Sequence, residues 1–160
     1  MKQIKAKPIT AENFKEFGSF TDLMNPDGYS LGDFYQDRLK MHCSGKLQTA
    51  FSPLLIRRPE KMIVSSAEYH NYTQEGVLCL DDDVVIHVAP AGKEAVPELT
   101  EAFLVPQGTM VLLGTGVWHL SAIPVHKELA HVLIVLPERT YFNDCVVVDY
   151  PEDKWVEITL

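Results

Sequence analysis

Cysteine is scarce in this 160-residue chain, and what there is rules out a disulfide framework. Cys43, Cys79 and Cys145 are odd in number and form no C-x-x-C pair, which points to reduced thiols and a cytoplasmic setting. Long apolar runs are missing too. The longest, around Val132 to Leu136, has the length of a strand, far short of the roughly 20 residues that cross a bilayer. The start, M-K-Q-I-K-A-K-P-I-T, is basic but no apolar stretch follows it, so no signal peptide is expected. Positive charge is in deficit: 14 Lys+Arg against 22 Asp+Glu leave a net charge of −8. That balance disfavours nucleic acid and anionic membranes as partners. A small anionic metabolite is not excluded, provided local arginine or metal charge offsets the field. No Gly/Ser-rich or Pro-rich linker, internal repeat or low-complexity tract divides the sequence, so residues 1–160 read as one domain.

What is present is a globular composition, 46% hydrophobic and 22% charged, in a chain long enough to bury its own core. One helix is expected near the start, with Thr10 as N-cap, Ala11 to Phe17 as the helix, and Gly18 as its stop. Ile9 and Phe14 occupy the two positions of a hydrophobic staple. Residues 21–45 are turn-rich and without a clean period, a loop with at most one short strand. Beyond Phe51, short β-branched runs alternate with Asp, Gly, Pro and Asn breaks. They are Met62–Val64, Gly76–Leu80, Val84–Ala89, Ala102–Val105, Thr109–Leu113, Val117–Ala122, His131–Leu136, Cys145–Val148 and Trp155–Thr159. Runs of this length and spacing predict a mainly β protein, an antiparallel sandwich or barrel with a short N-terminal helix.

Metal-capable side chains concentrate in two places: E-Y-H-N-Y-T-Q-E, from Glu68 to Glu75, and G-T-G-V-W-H, ending at His119. On a strand, Glu68 and His70 share a face. On a helix they would lie about 200° apart and could not converge. Glu75 has the wrong parity for that strand and joins the group only if the chain bends over Asn71–Gln74. His119 would enter from a distant strand. Two imidazoles and two carboxylates facing one another inside a barrel suit a divalent transition ion.

These spacings resemble the two cupin motifs. Glu68 stands where the first motif has its first His, His70 takes the second, Glu75 the Glu, Gly116 the second-motif Gly and His119 its His, while Gly114 replaces the motif Pro. Within that superfamily the chain resembles the ureidoglycolate lyases, in Glu68-Tyr69-His70 with Glu75, in Val117-Trp118-His119, in Asn143-Asp144-Cys145, and in the opening A-K-P-I-T-A-E-N-F-K-E-F-G. Tyr69 and Glu75 depart from the family's usual Arg and Gln. The resemblance implies a cupin-like, jelly-roll-type barrel and a homodimer. It also implies a divalent ion (Ni, Mn, Fe or Zn) on Glu68, His70, Glu75 and His119, with Glu75 and His119 catalytic. The implied reaction is cleavage of the C–N bond of a small ureido-hydroxy acid to glyoxylate and urea.

Other residues carry weaker signals. Arg57 and Arg58 are candidates to clamp a substrate carboxylate, against an ordinary surface ion pair. Trp118 is a packing residue or a pocket wall, and Tyr69 is expected to face away from the site. His87, in an apolar strand, is a core histidine or a fifth ligand. His126 and His131 read as surface residues, or as a general base. Asp81-Asp82-Asp83 reads as a solvated turn, since it lacks the Gly and the twelfth-position Glu of a calcium loop. Cys145 has no adjacent His to make it a nucleophile. A ligand-binding barrel without turnover, or a metal-dependent isomerase or oxygenase, are the competing function classes. Glyoxylate release separates the first from a lyase, and dependence on Fe(II) and O₂ marks an oxygenase.

Overall fold

A computed structural model describes residues 1–43 and 45–160; Ser44, within the stretch expected to be loop, lies outside the described residues. In chain order the elements are β1 (Lys2–Lys5), β2 (Lys7–Pro8), α1 (Ala11–Phe14), β3 (Gly18–Asp22), β4 (Thr49–Arg57), β5 (Met62–Val64), β6 (Ser66–Tyr69), β7 (Glu75–Cys79) and β8 (Val84–Ala89). They continue with β9 (Glu101–Val105), β10 (Thr109–Leu113), β11 (Trp118–His119), β12 (Ile123–Pro124), β13 (Leu129–Pro137), α2 (Thr140–Asn143), β14 (Val146–Asp149) and β15 (Val156–Thr159). The protein is mainly β, as the alternation of short apolar runs and turns predicts.

The strands form three sheets. One has the order β3-β10-β7-β13-β4, a second β14-β6-β11-β8-β9-β2 with β12 also on β8, and a third β1-β15-β5. Period-2 alternation explains the layering. On β8, Val84, Ile86 and Val88 belong to the core shared with Val77, Cys79, Val111, Val132 and Ile134 of the first sheet. Val85 and Ala89, on the other face of β8, join the core with Val64, Val156 and Ile158 of the third sheet. The second sheet is therefore covered on both sides, which is why β8 is apolar at nearly every position rather than alternating.

The helix is shorter than its sequence pattern. The capping box forms, Thr10 Oγ1 accepting from the Asn13 N–H and Asn13 Oδ1 from the Thr10 N–H, and Phe14 is buried beside Ile9. The helix nevertheless ends after one turn, because the Phe17 carbonyl accepts from the Gly114 N–H at 2.7 Å and draws the chain into β3. Gly18 starts that strand instead of stopping a helix. A Cβ there would lie 1.9 Å from the Leu112 carbonyl oxygen, so the close approach of β3 to β10 demands glycine.

Two further differences have local causes. Of the expected strand Val117–Ala122, Trp118–His119 forms β11, and β12 follows beyond it at Ile123–Pro124. Both pair with β8, but the register moves from His119↔Val88 to Ile123↔Val85, which leaves one extra residue between them, as in a bulge. β4, a strand missing from the expected runs, passes through Pro53. It is tolerated because β4 lies at a sheet edge, paired along one side with β13. The edge strands β4 and β14 carry exposed Phe51, Leu55 and Val147. Among the described residues no helix is long and apolar enough to cross a membrane.

Candidate metal centre

The two facing sheets bring four donors together. Glu68 on β6 lies directly opposite His119 on β11. His70 follows β6 immediately. The turn at 71–74 then carries the chain across to the first sheet, where Glu75 opens β7 on the same inward face as the core residues Val77 and Cys79. The bend that the parity of Glu75 requires is present. One ligand atom from each of Glu68, His70, Glu75 and His119 lies within 4.8 Å of the others, and the last three residues are buried.

Backbone contacts orient both imidazoles. Nδ1–H of His70 donates to the Asp144 carbonyl at 2.6 Å, and Nδ1–H of His119 donates to the Val117 carbonyl at 2.8 Å. A carbonyl only accepts, so each Nδ1 carries the proton and each Nε2 is turned inward. Both Nε2 atoms meet one oxygen, Glu75 Oε2, at 2.9 and 3.2 Å. Two nitrogen lone pairs and a carboxylate oxygen at those distances repel unless a positive charge lies among them. Extra protons on the rings supply it, and so does one shared cation. The donor set, two imidazoles and two carboxylates at the end of a cavity, suits a divalent transition ion.

The ionisation behaviour of the cluster expresses the same pull toward positive charge. Burial works to raise the Glu75 pKa, but hydrogen bonds from His119 and His70 overcome it and hold the carboxyl at about 2. Burial works to lower the His70 pKa, and the bonds to Glu75 and to the Asp144 carbonyl reverse that, leaving it raised.

The segments feeding the cluster are tied to one another. Gly116, at φ 78°, takes the left-handed conformation that glycine adopts without penalty, and its N–H donates to the His70 carbonyl at 2.9 Å. The G-x-x-H segment is thus fastened to the E-x-H segment. The cluster opens on a cavity of about 230 Å³ lined by Glu68, Glu75, Ser52, Leu120, Ser121 and Tyr141, with Pro53, Leu54 and Ile134 completing the wall. That volume lies below the roughly 300–1,000 Å³ of drug-sized sites and fits a small metabolite.

The remaining candidates are not at the cavity. Arg57 and Arg58 are exposed beyond its lining. On β4 the inner face is Ser52, Leu54 and Ile56, so alternation turns Arg57 outward, and Arg58 hands its N–H to the Glu128 carbonyl. Trp118 is fully buried on the opposite face from His119, its ring 4.5 Å from that of Tyr69, so it packs the second core and is no pocket wall. Tyr69 faces away from the site, as its alternation with Glu68 requires. His87 shares the outer face of β8 with Val85 and Ala89 and lies outside the four-donor group.

His126 and His131 are surface residues, paired with Asp83 at 3.2 Å and Asp81 at 2.9 Å. The Asp81–Asp83 turn ties down neighbouring loops through the backbone N–H groups of Gln107, His126, Lys127 and His131. Sequence reasoning passed over Ser52, Ser121 and Tyr141. Lone hydroxyl residues in unrelated segments carry no spacing signal, and only the fold assembles them.

A family model for ureidoglycolate lyase matches residues 1–157, nearly the whole chain. The chain belongs to the ureidoglycolate lyase family. It is 28% identical over 131 residues to a protein of Agrobacterium fabrum provisionally named a ureidoglycolate lyase, covering 78% of this chain and 77% of that protein. It is 25% identical over 170 residues to ureidoglycolate lyases of Pseudomonas aeruginosa strains, covering 96% of this chain and 94% of theirs.

Proposed function

We propose that this protein is a metal-dependent ureidoglycolate lyase that splits the C–N bond of ureidoglycolate to give glyoxylate and urea. The observation that carries the reading is the convergence of both imidazole Nε2 atoms on the Glu75 carboxylate at the floor of a small cavity, in a chain of this family. Glu68, His70, Glu75 and His119 would hold a divalent ion, with nickel, manganese, iron and zinc as candidates. Such an ion supplies positive charge that makes a nearby hydroxyl more acidic.

The rest falls to the protein. Ser52, Ser121 and Tyr141 offer hydroxyls to the substrate's carboxylate and ureido groups, the part first expected of Arg57 and Arg58. The hydroxyl proton passes to Glu75 or to a neighbouring histidine. The C–O bond becomes the aldehyde C=O as the C–N bond breaks, and the proton returns to the departing urea nitrogen, with His119 beside Glu75 at 3.2 Å to stabilise the exchange. The apolar wall of Leu54, Leu120 and Ile134 limits water. Pairing of two copies through the exposed β4 and β14 edges, in the cytoplasm, belongs to the same proposal.

Elemental analysis of purified protein alongside a His70→Ala/His119→Ala double variant tests the centre, and glyoxylate release from ureidoglycolate tests the reaction. Near-stoichiometric metal and glyoxylate are expected in the parent, with both lost in the variant. Glyoxylate formed at equal rates by the two would overturn the site assignment, and metal without glyoxylate would overturn the reaction.

A further inference from the structure

We infer that the dipeptide Asp144–Cys145, where α2 gives way to β14, is the positioning device of the four-donor centre, acting on three of its four ligands from outside the ligand set. The inference rests on the metal reading above. Five hydrogen bonds carry it. The Asp144 carbonyl accepts Nδ1–H of His70 at 2.6 Å, which fixes the ring and leaves Nε2 free to bind. The Cys145 thiol donates to Glu68 Oε2 at 3.1 Å, which ties that carboxylate to the start of β14. The Asp144 carboxylate clamps the turn that joins His70 to Glu75. Oδ1 accepts the Asn71 N–H at 2.8 Å and its side-chain amide at 3.0 Å, and Oδ2 accepts the Tyr72 N–H at 2.8 Å.

That turn, at 71–74, sets the path from His70 to Glu75, so pinning it sets their separation. The dipeptide is itself held, since β14 pairs along β6 with Val147 opposite Glu68 and Val146 opposite Tyr69. Only His119 is independent of it, oriented by the Val117 carbonyl of its own segment. Metal-binding histidines hold their productive tautomer through such outer contacts, and losing one typically costs about 10–100-fold in metal affinity. Asp144 and Cys145 touch no reacting atom in this account; they are positioning residues.

The test titrates the metal-free full chain with cobalt(II) chloride, following visible absorption and competing with a chelator to obtain Kd. Asp144→Ala, Asp144→Asn, Cys145→Ala and Cys145→Ser are compared with the parent, with thermal melting of each metal-free protein recorded. Asp144→Ala is expected to raise Kd about 10–100-fold and to alter the absorption bands. Asp144→Asn keeps the Oδ1 acceptor and should lie between, and it stands in should the alanine variant fail to fold. Cys145→Ala should weaken binding about tenfold, and Cys145→Ser, which retains a donor, should recover most of that loss. If the parent binds no cobalt, the metal reading and this inference fall together. If the parent binds and the Asp144 and Cys145→Ala variants stay within about twofold with unchanged spectra, only this inference falls. Cys145→Ser as weak as Cys145→Ala would remove the thiol's part in it.

Discussion

Histidine meets carboxylate in two regions of this protein, and the outcomes differ. At the centre, the side chains of His70, Glu75 and His119 are only 2%, 10% and 3% exposed, and their functional atoms converge on one point. On the surface, His131 meets Asp81 and His126 meets Asp83 with side-chain exposures of 35–66%, each pair in its own direction. The distances overlap, from 2.9 to 3.2 Å in both places. Proximity therefore does not make a site. Water solvates each partner of a surface pair separately, so removing one leaves the other content. In the interior solvation is poor, and a carboxylate shared by two imidazoles calls for protons or a cation among them.

The largest effect follows from breaking the buried group. Glu75→Gln keeps the side-chain shape and removes the charge that draws both Nε2 atoms together. Metal affinity is expected to fall by at least roughly tenfold, because losing a direct ligand's charge cannot be milder than losing an outer contact. Chelator competition measures this. If glyoxylate formation is undiminished at saturating metal, Glu75 is not the proton acceptor, and the role passes to Glu68, the other carboxylate lining the cavity.

A third buried histidine sharpens the contrast, because among the described residues no carboxylate bonds to it. Burial, with the nearby charge of His119, pushes the His87 pKa down to about 4. Its unfolded value is about 6.5. Between those values the unfolded chain binds a proton that the folded chain refuses, so stability falls as pH drops from about 6.5 to 4. The difference of about 2.5 units corresponds to roughly 3 kcal/mol once both values are passed. His70 works in the opposite sense. Its raised pKa gives stability that is complete below about 6.5 and is lost as pH rises through the folded value. Comparing denaturant unfolding of the parent with His87→Leu from pH 7 to 4 isolates His87. The variant should gain about 3 kcal/mol on the parent over that range. A constant difference would mean that His87 is not buried as a neutral ring.

How much of this was legible in the sequence depends on whether the signal was local. Residues i and i+2 on a strand share a face, so Glu68 with His70, and Tyr69 away from them, could be read from spacing alone. The bend before Glu75 was legible because parity demanded it and Asn71–Gln74 allowed it. β8 was legible as a run of β-branched residues. Less was visible wherever a tertiary contact decides. The helix ends early because of Gly114, a hundred residues away. Pro53 sits inside a strand because that strand lies at an edge. Arg57 and Arg58 looked like a carboxylate clamp by residue type, yet one further step along β4 from Ile56 turns Arg57 to solvent. The outer contacts from Asp144 and Cys145 connect positions more than 70 residues apart, and no spacing rule reaches them.

The smallest expected effect lies at the surface pair. The Asp81 carboxyl is held at about 2 chiefly by the backbone N–H of His131, with its imidazole second. His131→Gln deletes the imidazole and keeps the stronger donor, since the backbone bond at 2.7 Å survives any substitution except proline. An NMR titration of the Asp81 carboxyl carbon should therefore find it still well below the ordinary carboxylate range of about 3.9. Metal content and melting temperature should match the parent. Adding 1 M salt, where the screening length shrinks to about 3 Å, should weaken the exposed His131–Asp81 and His126–Asp83 pairs while leaving metal affinity at the buried centre largely unmoved. A His131→Gln protein that lost metal would show the two regions to be coupled. Burial and convergence would then not be enough to explain why only one of them is a site.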